Sequence, residues 1–319
     1  PAADGIRDHL LGLVGSEMCI RDRYIIFMTG YSSVKNAVDA MKLGAFDYIA
    51  KPFTDDELLI CVQRAVETKR LKEENLALRR QLSERYDFGN IIGEDPEILN
   101  IFDAIRKVAP TDSTVLLSGE SGTGKELFAR AIHAHSKRAA RQIVAVDCST
   151  FSSSLLESEL FGHVKGAFTG AVKDKAGIFD VARHGSLFLD EVANLNLDIQ
   201  AKLLRAIESR EVKPVGAGRL KKSNVRIIAA TNRDLKTMVD AGKFREDFFY
   251  RLNVFPIFIP PLRERRDDIP RLLYHFLKLY CRQTGKQVDG FSDDALETLI
   301  NHEWPGNVRQ LKNVVERLV

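Results

Sequence analysis

Gly119, Glu120, Ser121, Gly122, Thr123, Gly124, Lys125 and Glu126 form the octapeptide GESGTGKE, between the apolar run TVLLS and the helical pattern KELFARAIHAHS. Strand, glycine-rich loop and helix in that order bring backbone N–H groups and a helix N-terminus around phosphate oxygens, with the lysine amine reaching the β and γ positions. Glu126 departs from the general pattern, which has a Ser or Thr hydroxyl there for Mg²⁺. Further on, SLFLDE ends an apolar strand in Asp190 and Glu191. Asp190 is placed to hold Mg²⁺ through water, and Glu191 to polarise an attacking water. VRIIAATN delivers Thr231 and Asn232 to a third strand end, where a polar side chain could sense a γ-phosphate. FREDFFYRL carries Arg245 and Arg251, whose guanidinium groups suit the charge that develops in phosphoryl transfer. Surface ion pairs with Glu246 or Asp247 are the alternative for these arginines.

Such residues converge only if several strands end at one edge. TVLLSG, QIVAVDC, SLFLDE, VRIIAATN and VFPIFIP are five apolar runs separated by helical stretches, the pattern of a mostly parallel sheet between helices. After Pro260 and Pro261 the strands cease, and three amphipathic segments, IPRLLYHFLKLYCRQTG, SDDALETLINHEW and NVRQLKNVVERL, predict a small helical subdomain. Upstream, YIIFMTG, SVKNAVDAMKLGA and FDYIA read as strand, helix and strand, followed by Lys51-Pro52-Phe53. In the charged helix that follows, Leu71, Asn75, Leu78 and Leu82 fit either a short coiled coil or a single solvated helix. Gly166, Ala167, Phe168, Thr169, Gly170 and Ala171 make GAFTGA, a loop with nothing to pack and one aromatic at its tip, which suits partner contact.

The 319 residues, 45% hydrophobic and 29% charged, exclude a short stapled scaffold and a disordered chain. A net charge of +3 gives no global case for nucleic-acid or membrane binding. The four cysteines are dispersed, suggesting neither a disulfide framework nor zinc. No apolar run approaches the ~20 residues of a membrane span, so a cytoplasmic protein is expected. The chain starts at Pro1 and stops at Val319 within a helical pattern, as a fragment would. GLVGSEMCIRDR at 12–23 matches the in-frame translation of a DNA string resembling a transposase sequencing adapter, so residues 1–23 are expected to be non-native.

Across residues 88–319, GESGTGKE, ESELFGH, GAFTGA, LFLDE, AATNRDL, FREDFFYRLNVF, PPLRERRDDI and WPGNVRQLKN occur in one family's order. The chain there resembles the central domain of the bacterial sigma-54-dependent transcription activators, an AAA+ ATPase. The resemblance implies an α/β P-loop NTPase domain at 88–259 with a parallel sheet, a helical lid at 260–319, and ATP with Mg²⁺ as cofactors. It implies ATP binding by residues 119–126, among which Glu126 is usual for the family, and an adenine pocket at Ile91, Ile92 and Gly93. By the same resemblance Asp190 and Glu191 are the acidic pair, Asn232 is a sensor, and Arg309 is a second sensor on the lid. Arg245 and Arg251 become fingers reaching a neighbouring subunit, and GAFTGA the sigma-54 contact. Asp147 stands where many members have an asparagine paired with the catalytic glutamate, a site where two carboxylates would repel.

Residues 24–67 resemble the second half of a flavodoxin-like response-regulator receiver, with Thr29, Tyr48 and Lys51, before a cis Pro52, as its switch residues. A linker helix follows at 68–87. The receiver's phosphoacceptor aspartate has no match upstream of Tyr24, and the family's C-terminal helix-turn-helix has none in this sequence. The implied partners are sigma-54 and RNA polymerase, a homo-oligomeric ring of hexamer or heptamer type, a sensor kinase for the intact parent, and enhancer DNA through the C-terminal domain; no membrane is implied. Competing readings are an AAA+ remodeller of another client, which would lack GAFTGA, and a non-catalytic regulatory module.

Overall fold

A computed structural model describes residues 24–30, 34–42, 44–85, 91–168 and 170–319. The adapter-like segment and Thr169 lie outside the described residues. Two compact units divide between Gln81 and Leu82.

In the first unit, β1 (Ile26–Thr29), α1 (Val34–Lys42) and β2 (Asp47–Ala50) precede the long helix α2 (Asp55–Arg85). β1 and β2 pair in parallel with Thr29 opposite Ala50, and the Lys51 N–H donates to the Thr29 carbonyl at 2.8 Å. The Lys51–Pro52 peptide is cis. Among the described residues the Tyr48 hydroxyl is buried without a hydrogen-bond partner. A reciprocal capping box starts α2: the Thr54 N–H donates to Glu57 Oε2 at 2.9 Å, and the Glu57 N–H to Thr54 Oγ1 at 3.3 Å. The helix then runs unbroken through 67 and 68, so the receiver-like and linker-like segments share one helix. Leu71 on it is exposed.

The second unit runs α3 (Pro96–Val108), β3 (Val115–Ser118), α4 (Lys125–Ala134), β4 (Ile143–Asp147), α5 (Ser153–Phe161), β5 (Gly162–His163), β6 (Lys175–Ala176), α6 (Ile178–Val181), β7 (Ser186–Asp190), α7 (Leu197–Ser209), β8 (Glu211–Val212), β9 (Lys221–Lys222), β10 (Arg226–Thr231), α8 (Leu235–Asp240), α9 (Glu246–Leu252) and β11 (Phe255–Phe258). Three lid helices close it: α10 (Asp268–Thr284), α11 (Asp293–Asn301) and α12 (Asn307–Leu318). The five predicted runs form one sheet in the order β11-β3-β10-β7-β4, every pair parallel. All five strands therefore end on the same edge.

Both faces of this sheet are covered, which is why its central strands read as continuous apolar runs rather than alternating ones. On one face Leu116, Leu187, Leu189, Ile227 and Ala229 pack with Leu203, Phe248 and Leu252 from α7 and α9. On the other, Val115, Leu117, Phe188, Ile228 and Ala230 meet Ile98, Ile105, Phe128 and Ile132 from α3 and α4. Arg226, buried at the start of β10, donates to the carbonyls of Ala109 at 2.6 Å and Val108 at 3.0 Å, satisfying the C-terminal end of α3. The lid has its own core around Leu273, Leu277, Trp304, Leu311 and Val315. Two short hairpins, β5-β6 and β8-β9, stand outside the sheet, and the first carries GAFTGA between its strands.

Candidate nucleotide site

The sheet edge where strands end holds the phosphate loop. Gly122 and Gly124 have φ of +81° and +101°, a region that L side chains reach only with strain. A Cβ at Gly122 would lie 2.3 Å from the Gly306 carbonyl oxygen, so the loop backbone presses against the lid. Gly124 caps α4 without a side-chain acceptor, leaving first-turn N–H donors available to an anion. Lys125, 6% exposed, donates from Nζ to the carbonyls of Gly119 at 2.9 Å and Glu120 at 3.1 Å, and lies 3.9 Å from Glu191 Oε1. Burial lowers its pKa, against the opposing pull of Glu191 and Asp190.

Asp190 and Glu191 end β7 as expected. Burial, then the Glu191 charge beside it, raises the Asp190 pKa. Its Oδ1 accepts the Glu191 N–H at 3.0 Å. Glu191 has a left-handed backbone, φ +52°, which turns its carboxylate between Lys125 and the end of β10. There the backbone N–H of Asn232 donates to Glu191 Oε2 at 3.4 Å, so the contact is made by the Asn232 main chain. Thr231 closes its own strand end, accepting the Arg233 N–H at 3.0 Å.

Three side chains of this region take partners that the sequence does not show. Asp147 is tied into a local turn: its Oδ1 accepts the Ser149 N–H at 2.8 Å and the Ser149 hydroxyl at 2.6 Å. Burial there is outweighed by these bonds, and the Asp147 pKa is lowered. Its charge contributes last to the raised pKa of Asp190, its register partner in the sheet. The Glu126 carboxylate pairs with Arg130 one turn on, at 2.6 Å, and its main chain lies in the first turn of α4. Glu120 turns to the lid, where both its oxygens receive Arg263, at 2.7 and 2.9 Å.

Around Glu120 the lid grips the loop through Arg309, which the sequence singles out, and through Asn307, Arg263 and Arg265, which it does not. Asn307, wholly buried with φ +51°, donates from Nδ2 to Glu120 Oε2 and to the Ser121 carbonyl, both at 3.1 Å. Its Oδ1 accepts the Leu262 N–H at 2.7 Å. Arg265, also buried, donates to the Thr123 carbonyl at 3.3 Å. Arg309 reaches Ser121 Oγ at 3.2 Å, and its N–H donates to the Gly122 carbonyl at 3.3 Å. Ile91 packs on the sheet core and Ile92 on the lid core, so this segment spans the seam between them. Asp268 accepts the Glu94 N–H at 2.7 Å just after Gly93. The charged run PPLRERRDD was the only signal for Arg263, Arg265 and Asp268.

Among the described residues, the hydrogen-bond partners of Arg245 and Arg251 lie outside this site. Arg245 forms the ion pair its spacing allowed, Nε to Asp247 Oδ1 at 3.0 Å and NH2 to Oδ2 at 2.7 Å. Arg251 donates to the Ile207 carbonyl at 3.4 Å. In GAFTGA, Gly166 and Gly170 have φ of +82° and +103°, and the Gly166 N–H donates to the Ala171 carbonyl at 2.9 Å. Phe168 is 44% exposed and rests edge-on against the His163 ring at 5.0 Å.

Residues 91–258 match the sigma-54 interaction domain, and residues 263–319 the AAA+ ATPase lid domain. Regulatory protein AtoC of Escherichia coli K12 is 48% identical over 92% of this chain and 64% of its own length. ZraR of Klebsiella oxytoca is 48% identical over 92% of this chain and 66% of its own. The chain thus spans slightly less than two thirds of these regulators. NtrX of Brucella abortus, crystallised with ATP, superposes with a TM-score of 0.70 at 38% identity, covering 97% of this chain and 69% of NtrX. Its ADP complex gives 0.71 over 94% of this chain and 64% of NtrX. Among the described residues no helix is long and apolar enough to cross a membrane. With a phosphate loop, a strand-end acidic pair and a gripping lid on one sheet edge, the chain belongs to the sigma-54 interaction domain family of AAA+ ATPases.

Proposed function

We propose that this chain binds and hydrolyses ATP and uses the energy to remodel the sigma-54 RNA polymerase closed complex, as the motor of a two-component response regulator. The observation that carries the reading is the buried Lys125 amine. It sits among loop carbonyls and within 3.9 Å of Glu191, at the edge where every strand of the sheet ends. ATP phosphates replace those carbonyls as partners of Lys125, while the α4 N-terminus receives the β-phosphate. Glu191 orients the attacking water, and Asn232 stands beside it as sensor. Asp190 would hold Mg²⁺, which when bound would supply charge neutralisation on the transferred phosphoryl group. The donor set fits it: Asp190 and Glu191 together outweigh the one lysine facing them. Ile91, Ile92 and Gly93 receive the adenine, and Arg309 senses the nucleotide from the lid.

Arg245 and Arg251, which bond to Asp247 and to the Ile207 carbonyl among the described residues, act on a neighbour's nucleotide in a hexameric or heptameric ring. GAFTGA meets sigma-54 with Phe168 at its tip. Thr29, Tyr48 and Lys51 belong to a receiver addressed by a sensor kinase in the cytoplasm, and enhancer DNA is bound by a C-terminal domain of the parent. The test is sigma-54 capture by chain loaded with ADP and a phosphate transition-state analogue. Replacing Phe168 or Thr169 with Ala should abolish capture while most ATP hydrolysis persists. Phe168 is exposed, so its truncation should leave the fold intact. Capture at the wild-type level, or hydrolysis lost with assembly intact, would overturn the loop's role.

A further inference from the structure

Past Glu191 the chain makes a single tight turn, closed by the Asn194 N–H to the Glu191 carbonyl at 3.0 Å and the Leu195 N–H to the Val192 carbonyl at 3.2 Å. Asn196 then caps α7, its Oδ1 accepting the Ile199 N–H at 2.8 Å. One turn inside α7 sits Gln200, with 0% exposure. An uncharged amide so deep is tolerated only if its donors and acceptor are matched. Here they are: Nε2 donates to the Leu195 carbonyl at 2.8 Å and to the Lys243 carbonyl at 3.5 Å, and Oε1 accepts the Arg245 N–H at 2.8 Å. Arg245 is the residue that caps α9, and its guanidinium is held flat by Asp247. Gln200 therefore grips, with one planar group, the segment leaving the acidic pair and the backbone from which Arg245 projects.

We propose that Gln200 is a positioning residue for Arg245, tying the acidic strand end of one subunit to the arginine that the same subunit lends to its neighbour. The inference rests on the reading that Arg245 acts across a subunit boundary. It deepens that reading by making the placement of the arginine depend on the backbone beside the donor's own nucleotide. Loss of the amide leaves the donor's own phosphate loop, Asp190 and Glu191 unchanged and lets the start of α9 drift. A misplacement of about 1 Å at a catalytic group is enough for an effect of about 10²-fold in rate.

Complementation tests this. Gln200→Met removes all three hydrogen bonds at similar volume. Alone, this variant should bind ATP and assemble normally but hydrolyse about 10²-fold more slowly. Mixed with Glu191→Gln subunits, which keep their arginines but cannot hydrolyse, it should regain activity. Mixed with Arg245→Ala subunits it should not, because both lack a working arginine. Rescue by Arg245→Ala subunits would place the lesion on the nucleotide side and overturn the proposal, as would full activity of the variant alone. Arg245→Ala mixed with Glu191→Gln is the control: if that pair does not recover, arginine donation in trans fails and takes the proposal with it. Should the methionine variant not fold, Gln200→Glu keeps an acceptor for the Arg245 N–H and should still lend its arginine to Arg245→Ala subunits, whose own acid is wild type. Failure of a folded Gln200→Glu chain to restore hydrolysis in Arg245→Ala subunits would equally overturn the proposal.

Discussion

Asn307→Ala separates the lid's grip on the phosphate loop from ordinary lid packing. The side chain is wholly buried and makes three hydrogen bonds, to Leu262, Glu120 and Ser121. Alanine leaves the Leu262 N–H bare in a buried site, which costs about 1–3 kcal/mol. It also places a Cβ residue less tolerant than asparagine at φ +51°, a further cost of about 1–2 kcal/mol. The expected loss is therefore about 2–5 kcal/mol. Trp304 is the single tryptophan of the chain and lies buried in the lid core, so its fluorescence during denaturant unfolding reads this loss directly. Asn307→Gly should recover the backbone part and remain destabilised by the bonding part. Asn307→Asp should keep the acceptor for Leu262 but set a carboxylate where an amide now donates to Glu120 at 3.1 Å. Its deficit near neutral pH should shrink when Glu120→Gln is added. An alanine variant within about 0.5 kcal/mol of wild type, the range of ordinary surface changes, would refute the reasoning.

Lys125→Ala should abolish ATP binding, measured by calorimetry, since it removes the cation aimed at the β and γ phosphates; unchanged affinity would rule out the site. Glu120 is held below its usual 4.5 by the Arg263 hydrogen bonds first and that of Asn307 second. A carboxylate lowered in the folded state stabilises fully above pH 4.5, and the contribution is lost as pH falls through its folded value. Glu120→Gln should therefore flatten the acid limb of a stability-against-pH curve, and an unchanged limb would contradict the clamp.

Much of the candidate nucleotide edge is legible in the sequence because each part is contiguous. GESGTGKE carries its own glycines, and the strand-end acids follow an apolar run whose two-sided burial the structure bears out. What joins the parts is not legible. Asn307 meets Glu120 across almost the whole second unit, and no local pattern announces a left-handed asparagine with three partners. Hairpins β5-β6 and β8-β9 have strands too short to show a period. Asp147 illustrates a subtler limit. Its place opposite Asp190 follows from strand order, but the turn formed with Ser149 decides where its charge is directed.

The claim on which the rest depends is that this sheet edge hydrolyses ATP with Glu191 as the water-orienting acid. Glu191→Gln keeps the shape of the side chain while removing its charge. ATP affinity and steady-state hydrolysis should be measured on the same assembled preparation. Binding should be retained and hydrolysis should fall by about 10²-fold or more, as removal of a general base does. Hydrolysis at the wild-type rate would contradict this role of Glu191.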